Sequence, residues 1–362
     1  MNLLSLKIGI VDEIYKQWED ITWIKVKIGN KEEQAVNYNK LTGGIKKGDK
    51  VVINTTAVDL SLGTGGTHFV IYNLSVKDKK LKGEGHIIKL RYTPMQFKCF
   101  AAEEQESPYH NIIKKFKSLN GLIVAVGTLH SMLGPVAAMI KWLKPNVKIT
   151  YIMTDGGALP LPFSLTVKEL KEKGIIDKTI TIGHSFGGDY ECINIYTGLI
   201  VAKEVIKSDV VIITMGPGIV GTGTKYGFSG IEQGYILDAV NTLQGKSFAI
   251  PRISFKDKRL RHSGLSHHTI TNLNEITYSR VNLILPILDN EKNKIILNQI
   301  ESSKIPKKHN IMFVDGSQIE KALRYFRLNI TTMGRKYFDD KEYFYALGAT
   351  GKAIAHQLQQ NR

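Results

Sequence analysis

Acids, histidines and hydroxyl residues that could carry out acid/base chemistry recur through the last two thirds of the chain. Six of the ten histidines fall between residues 110 and 268. A histidine that a carboxylate orients can act as a general base, and a nearby serine can then act as a nucleophile or as a donor to a phosphate. The residues that we predict to be catalytic are Asp155, His184, Asp189 and His267, with Ser131, Ser185 or Ser266 as the hydroxyl.

A second set of residues has the composition of an anion-binding surface. Glycine-rich loops expose backbone N–H groups, and serine and threonine add hydroxyl donors. The stretch from 216 to 224 is the clearest example. The residues that we predict to bind a ligand are His130, Ser131, Gly156, Gly157, Ser185, Gly187, Gly188, Gly216, Gly218, Gly221, Thr222, Gly223, Thr224, His262, Ser263 and Gly264.

Two of these stretches also fit known motifs by their spacing. The glycines of 216–221 have the G-x-G-x-x-G spacing of a dinucleotide-binding turn, but Pro217 stiffens it and no acid for a ribose ends the following strand. Residues 183–187 fit the G-x-S-x-G nucleophile elbow, although the next helix starts several residues late. We rank a dinucleotide-dependent oxidoreductase and a Ser185-centred hydrolase below a general anion-binding site.

The acids and histidines also include donors for a zinc ion or a two-metal site. No pair among them has the helical i, i+4 spacing that makes such a prediction specific. The adjacent His267 and His268 would point about 100° apart on a helix, so we expect one of them to be structural. The sequence leaves metal dependence and cofactors undetermined.

Residues 1–98 have the pattern of a small all-β barrel. Short runs rich in valine, isoleucine, threonine and aromatic residues alternate with glycine turns, and no helical pattern interrupts them. Five such strands predict a closed barrel. The glycine-rich loop 62–68 reads as a hairpin or a lid. The predicted strands are Leu4–Val11, Thr22–Ile28, Gln34–Tyr38, Val51–Thr55 and His68–Leu74.

Residues 119–362 follow a connection at 99–118 and have the pattern of a Rossmann-like α/β domain. Continuous apolar, β-branched runs alternate with helical segments, which predicts a doubly wound and mostly parallel sheet. A last helix is predicted from Lys341 to Gln360. The predicted strands are Leu122–Val126, Lys148–Met153, Thr179–Ile182, Val210–Thr214, Ser247–Ile253, Val281–Ile287 and Ile311–Val314.

The candidate residues follow the first five of these strands. In an open parallel sheet, ligands bind beyond the carboxyl ends of the strands, where helix N-termini present free N–H groups. We therefore expect five loops to meet around a single crevice at this edge.

Charge and cysteine content narrow the class of partner. The formal net charge is +16, spread along the chain, with its densest cluster at 252–261. A local cluster fits a small anion better than a nucleic-acid backbone, so nucleic-acid binding ranks low. No stretch offers the ~20 apolar residues of a membrane span, and no signal peptide is evident. The chain has only two cysteines, Cys99 and Cys192, so we expect a cytoplasmic protein without disulfides. The sequence leaves open whether the protein forms a homo-oligomer.

Several segments of the chain also carry a family resemblance. They resemble a bacterial protein family catalogued as a domain of unknown function, and the resemblance extends over essentially the whole length. It implies a cytoplasmic bacterial protein and implies no activity. The segments are Ser107–Tyr109, Leu129–Ala138, Thr154–Pro160, Gly216–Gly218 and His262–His268.

Taken together, the residues favour an enzyme, a hydrolase or a group transferase, that acts on a small anionic, phosphorylated or nucleotide-like ligand. The alternative is a non-catalytic metabolite sensor or assembly protein, because no catalytic signature is complete.

Overall fold

The computed structural model describes residues 2–62, 66–77 and 79–360. Of residue 360, only the backbone is described. The chain forms two compact units, Met1–Glu84 with Arg91–Phe97, and Gly85–Leu90 with Lys98–Arg362. The centre of the predicted glycine loop, at 63–65, lies outside the described residues.

The first unit contains a closed five-stranded barrel, as predicted. Its strands follow each other around the barrel in the order β1-β2-β3-β5-β4, and β4 pairs back with β1. All pairs are antiparallel except β3 with β5. The elements are β1 (Leu6–Gln17), β2 (Ile21–Ile28), β3 (Lys31–Tyr38), α1 (Asn39–Thr42), β4 (Lys50–Asn54), α2 (Thr56–Asp59) and β5 (Thr67–Asn73).

Buried apolar residues alternate with outward-facing polar residues along these strands, so the barrel encloses its own apolar core. Ile24 and Val26 of β2 are completely buried, whereas the lysines between and after them face outward. Val51 and Ile53 of β4 join them inside. Five-stranded Greek-key barrels include the OB-folds, but an architecture alone does not indicate a ligand.

The second unit contains an eight-stranded sheet in the order β11-β10-β9-β12-β8-β13-β16-β17, and every pair in it is parallel. The predicted parallel α/β sheet is therefore confirmed. Its strands are β8 (Ile123–Val126), β9 (Ile149–Thr154), β10 (Lys178–Ile182), β11 (Tyr190–Cys192), β12 (Val210–Met215), β13 (Lys246–Ala249), β16 (Asn282–Pro286) and β17 (Asn310–Val314). Two small sheets accompany it, β6 (Ile87–Lys89) with β7 (Phe97–Cys99), and β14 (Ile253–Ser254) with β15 (Gly264–Leu265).

Helices cover both faces of the sheet. Ile123 and Ala125 of β8 belong to one apolar core, and Val124 and Val126 belong to the other. A strand buried on both sides needs this continuous apolar run. The helices are α3 (His110–Lys114), α4 (Leu133–Leu143), α5 (Leu165–Glu172), α6 (Ile195–Ile200), α7 (Glu232–Thr242), α8 (His267–Thr271), α9 (Asn290–Glu301), α10 (Ile305–Lys308), α11 (Ile319–Tyr325) and α12 (Lys341–Gln360).

The fifth predicted strand of this domain is divided in the structure. It was expected to run from Ser247 to Ile253, but β13 ends at Ala249 and β14 begins at Ile253. Pro251 lies between them and has no N–H to donate to a ladder. Because β14 then pairs antiparallel with β15, residues 255–263 form a hairpin loop beyond the sheet.

In the described part of the chain, no helix combines the length and the apolar character that crossing a bilayer requires.

Candidate functional site

The carboxyl ends of β8, β9, β10, β12 and β13 lie along one edge of the sheet, because all of these strands are parallel. The loops that carry most predicted site residues begin at this edge. Their contacts group into two regions, one built around three histidines after β13 and the other around acids after β9 and β12.

The histidines of the first region form a compact group, which we call the histidine cluster: His262, His267 and His268. One ring nitrogen from each lies within 4.8 Å of the other two, and the ring centroids are 4.3 to 4.8 Å apart. His262 is 1% exposed and His268 is 6% exposed. Among the described residues, Nε2 of His267 and Nδ1 of His268 are buried without a hydrogen-bond partner.

A strand-to-helix turn brings these rings together. The hairpin β14–β15 returns the chain to Ser266, which caps α8, and its Oγ accepts a hydrogen bond from the His268 N–H at 3.3 Å. The same Oγ lies 2.7 Å from Nδ1 of His262. Phe228, in the loop after β12, stacks on the His268 ring at 3.8 Å and 5°. The cluster is thus held from its own turn and from a neighbouring loop.

This arrangement differs from the expectation that His267 and His268 point apart. They are the first two residues of α8, and their Cα–Cβ bonds do diverge on a helix. Imidazole rings extend several ångströms beyond Cβ, however, and at the first turn no preceding helical turn restricts them. Both rings can therefore turn toward the same point, where they lie 4.3 Å apart.

The cluster is uncharged at neutral pH. Burial lowers the pKa of His262 to about 3, with a further contribution from Arg252. Burial also lowers the pKa of His267, assisted by the charge of Arg261, and it lowers the pKa of His268. Each imidazole therefore keeps a nitrogen lone pair at pH 7.

Arginines surround the cluster and are only partly neutralised. Nη2 of the buried Arg252 donates to Asp257 at 2.9 Å, and Arg259 donates twice to the same carboxylate, at 2.9 and 2.8 Å. These guanidiniums hold the pKa of Asp257 well below its usual range, with the Arg259 bonds as the largest cause. Arg261 has no ion-pair partner among the described residues. One carboxylate thus faces three guanidiniums, and the region stays positive.

The predicted glycine loop reaches this region but does not form a dinucleotide turn. It folds back on itself, with Thr222 N–H bonded to the Gly227 carbonyl at 2.8 Å and Gly221 paired with Phe228. The Oγ1 atoms of Thr222 and Thr224 are 2.9 Å apart. Gly223 lies beside Arg261, since a Cβ placed there would be 3.8 Å from Nη2. Helix α7 begins only at Glu232, too late for the G-x-G-x-x-G arrangement.

Gly157 and Gly216 allow the loops after β9 and β12 to come into contact, rather than binding an anion. A Cβ on Gly157 would lie 2.4 Å from the Gly216 carbonyl oxygen, and one on Gly216 would lie 2.2 Å from the Ala158 oxygen. The backbones after β9 and β12 therefore touch, and the loop end is anchored by Ala158 N–H donating to the Pro217 carbonyl at 2.8 Å. Of the other loop glycines, Gly218 is exposed and has φ +100°.

The second region joins Asp155 to Glu232, a residue that the sequence pattern predicts as a helix-capping partner of Ser229 and not as a site residue. Glu232 accepts a hydrogen bond from the Thr154 hydroxyl at 2.6 Å, and burial together with nearby Asp155 raises its pKa to about 7. Gly156 allows the approach, because a Cβ there would lie 2.7 Å from Oε2 of Glu232. A carboxyl that titrates near neutrality can give or take a proton.

Asp155 and His184 do not form a carboxylate–imidazole pair. The Asp155 carboxylate accepts from the backbone N–H of His184 at 3.0 Å, not from its ring. Nδ1 of His184 accepts from the Leu90 N–H at 3.1 Å. The structure therefore gives no support to a base at His184 oriented by Asp155.

Asp189 lies at the opposite edge of the sheet, which corrects its predicted place. The chain turns back after β10 and adds the short parallel strand β11, so Asp189 comes before a strand rather than after one. Its carboxylate accepts from Thr179 N–H at 2.8 Å and from Lys171 at 2.7 Å. These bonds fasten the start of β10 and keep Asp189 away from the carboxyl ends.

Other residues of the same turn are structural. Ser185 is completely buried, and its Oγ contacts the Met153 and Ile182 carbonyls at 2.9 and 2.7 Å, so a nucleophile elbow is not formed. Gly187 N–H donates to Glu191 at 2.7 Å, and Gly188 N–H donates to Thr181 at 3.1 Å.

His130 and Ser131 are also tied into the interior. Nε2 of His130 lies 2.7 Å from Ser164 Oγ, and Nδ1 lies 3.2 Å from the Met215 carbonyl oxygen. Burial lowers the pKa of His130 to about 4. Ser131 Oγ is 2.7 Å from the buried Tyr343 hydroxyl. Both side chains connect elements under the edge of the sheet.

Ser263 and Gly264 fix the hairpin that carries the cluster. The Ser263 carbonyl accepts from Nε2 of Gln299 at 2.9 Å. Gly264 has φ +71°, and a Cβ there would lie 2.5 Å from Oε1 of the same glutamine. These two residues therefore position His262 rather than face a ligand.

The contributions of Phe228 and Asp257 were not predicted, whereas Arg252 was predicted only as part of the basic stretch 252–261. Phe228 could not be linked to His268 because the two are 40 positions apart, and a stacked pair leaves no local pattern. Asp257 did carry a signal, since it is a lone acid inside the basic stretch 252–261.

A surface hollow of about 380 Å³ lies elsewhere in this unit. It is separate from both regions and is lined by Glu320, Leu323, Arg324, Arg327, Leu328, Asn329, Ile330, Lys336, Tyr337 and Phe338.

Comparison with known proteins identifies a family but no activity. Neither the curated proteins nor the solved structures contain a match to this chain. The family described as "Protein of unknown function (DUF3866)" matches residues 34–351, which is nearly the full length. The expected resemblance to a family of unknown function is therefore confirmed, and the chain belongs to the DUF3866 family.

Proposed function

We propose that the second unit is a cytoplasmic enzyme, a hydrolase or group transferase, that binds a small anionic ligand of the phosphorylated or nucleotide-like type. The observation that carries this proposal is that a partly neutralised arginine group, with Arg261 outside any ion pair of the described residues, meets uncharged histidines at the carboxyl edge of the sheet. The two cysteines are free, which fits a reducing compartment.

Arg261 is the group that we expect to bind the anion. It is exposed, while Arg252 and Arg259 are held by Asp257. A guanidinium offers a planar pair of donors that matches two phosphate oxygens. Next to it lies the backbone of Gly223. The residues on either side of Gly223 in the chain, Thr222 and Thr224, have hydroxyls 2.9 Å apart. These donors together suit a phosphate better than a single carboxylate.

The histidine cluster supplies the reacting side of the same region. In hydrolysis, a water oxygen forms the new bond to the transferred group, the leaving oxygen takes the bonding electrons, and the proton of the water passes to a base. The uncharged imidazole of His267, the partly exposed member of the cluster, can accept that proton when no metal ion is bound. The arginines would stabilise the negative charge that accumulates in the transition state. In group transfer, an acceptor hydroxyl takes the place of water.

The test compares two arginines at opposite edges of the sheet. Arg261→Ala removes the proposed anion-binding group, whereas Arg280→Ala removes the same charge just before β16, at the amino edge. Binding of inorganic pyrophosphate, AMP and ATP to the full chain would be measured by calorimetry, and phosphate release would be measured for each. Since a charged hydrogen bond contributes about 1.5–3 kcal/mol, we expect Arg261→Ala to weaken binding roughly 10- to 100-fold.

Arg280→Ala should bind each probe like the unmodified chain. Equal affinities in the two variants, or no binding of any probe, would refute an anion site at Arg261. Arg261-dependent binding without phosphate release from any probe would instead favour the metabolite sensor, the alternative that the sequence already suggested.

A further inference from the structure

We propose that the histidine cluster binds a divalent transition metal ion, with zinc as the first candidate, through one nitrogen each of His262, His267 and His268. The inference deepens the proposed function and relies on it for the identity of the substrate, but metal binding itself can be measured without any substrate.

The spacing of the nitrogens is close to that of a metal site. A zinc ion with Zn–N bonds of about 2.0–2.1 Å in tetrahedral geometry places its nitrogen ligands about 3.4 Å apart. The three cluster nitrogens already lie within 4.8 Å of one another. The cluster nitrogens must therefore approach one another by up to about 1.4 Å for a zinc ion to bind.

Two of the nitrogens need a partner that the protein does not provide. Nε2 of His267 and Nδ1 of His268 are buried without a hydrogen bond among the described residues. Leaving a buried polar atom without a hydrogen-bond partner is unfavourable. Two such atoms in one three-histidine cluster indicate that the cluster can accommodate a metal ion, which has empty coordination positions for their lone pairs.

The third histidine is oriented by a hydroxyl, as metal-binding histidines usually are. Ser266 Oγ lies 2.7 Å from Nδ1 of His262. If Nδ1 carries the hydrogen and donates it to Ser266, Nε2 retains its lone pair for the metal. The His268 N–H bond to the same oxygen keeps that hydroxyl in place.

The arginines near the cluster define what the remaining coordination position would hold. Three histidines are neutral ligands, so the ion keeps its full +2 charge, and the part of the Arg252, Arg259 and Arg261 charge that Asp257 does not neutralise adds to it. Such a site strongly favours an anion in the open position, either hydroxide from bound water or an oxygen of the substrate. Zinc bound by three histidines lowers the pKa of its water to about 7. This would provide the nucleophile for a hydrolase that acts on an anionic substrate.

The experiment measures metal binding by the full chain, first stripped with a chelator and then exchanged into metal-free buffer. We expect one Zn²⁺ or Co²⁺ per chain in competition with a chromophoric chelator. X-ray absorption of the zinc form should show three imidazole nitrogens near 2.0 Å. This measurement needs no variant, so it remains decisive even if substitutions in the cluster prevent folding.

Two matched substitutions locate the site. His267→Gln changes the most accessible member of the cluster and should weaken metal binding at least 100-fold. His86→Ala removes an exposed histidine that stands with Glu104 and Glu106, a second group of possible ligands, and should leave the affinity unchanged. The proposal is overturned if the chain binds no metal, if His86→Ala abolishes binding, or if fewer than three imidazoles surround the ion.

The two proposals can fail separately. Metal binding at the cluster without any Arg261-dependent binding of pyrophosphate, AMP or ATP would refute the proposed function alone. Arg261-dependent binding of these probes to a chain that takes up no metal would refute the metal site alone.

Discussion

The Ser266 hydroxyl links the stability of α8 to the geometry of the histidine cluster, so Ser266→Ala tests both. The substitution removes the N-cap bond to the His268 N–H, which contributes about 1 kcal/mol at a typical helix. It also leaves the buried Nδ1 of His262 unpaired, at a cost of about 1 kcal/mol or more. The free energy of unfolding of this unit should therefore fall by about 2 kcal/mol. For a domain of this size, the melting temperature should fall by about 4–8 °C.

The effect on metal affinity is the more specific result. Removing a residue that orients a metal-binding histidine typically weakens affinity 10- to 100-fold, and we expect a loss in this range for zinc. Unfolding would be followed by circular dichroism in urea with a chelator present. Affinity would be measured by chelator competition on samples that are folded in the absence of metal.

Ser164→Ala is a matched control for both measurements. Ser164 also caps a helix, accepting from the Val167 N–H at 3.0 Å, and its Oγ also lies 2.7 Å from a histidine nitrogen, that of His130. It should cost a similar amount of stability and leave zinc affinity unchanged. If Ser266→Ala lowers zinc affinity no more than Ser164→Ala does, the hydroxyl does not orient His262 toward a metal.

Two further outcomes follow from the structure. Gly157→Ala should lower the free energy of unfolding by about 1–3 kcal/mol or more, because its Cβ would press on the Gly216 carbonyl oxygen; Gly221→Ala, whose Cβ would meet only an ordinary contact at 3.7 Å, is the control in thermal denaturation. Stability in metal-free buffer should also fall as the pH falls from about 6.5 to 4. In that interval the unfolded chain protonates His130, whose unfolded pKa is about 6.5, whereas the native protein resists protonation until about pH 4. This single histidine accounts for roughly 3 kcal/mol. Urea unfolding at several pH values should therefore show a smaller decline for His130→Asn, and an equal decline in both chains would contradict this assignment.

The main strands could be predicted because burial on both faces leaves a strong pattern. The expected strand Leu122–Val126 is observed as β8 over Ile123–Val126, and the last helix occupies Lys341–Gln360 as expected. A continuous apolar run of this length can be buried in few ways other than as a central strand, since each of its side chains has to enter one of the two cores. Short elements held by distant partners leave no such pattern.

The edge strand β11 shows this limit. It has three residues, and Glu191 at its centre is polar. Glu191 is held there by a 2.6 Å ion pair with Lys89, a buried residue about 100 positions earlier. Nothing in the local sequence indicates that pairing. Because the local sequence does not indicate a strand at Tyr190–Cys192, it predicts one uninterrupted loop after β10. That prediction places Asp189 at the wrong edge of the sheet.

The sequence named His262 and His267 as site residues but did not predict a specific metal site, and the reason makes the cluster simple to test. Metal-binding spacings are specific when the ligands share one regular element, but here a hairpin supplies His262 and the first turn of a helix supplies His267 and His268. All three nevertheless fall within seven consecutive residues, so their approach depends mainly on one turn at Ser266, with Phe228 of the loop after β12 packed on His268. The Asp155–Glu232 region, by contrast, requires β9 and the start of α7 to be correctly packed. A substitution that loosens the sheet should therefore disturb the acids before the histidines, and loss of metal binding after a change at Ser266 can be assigned to that turn.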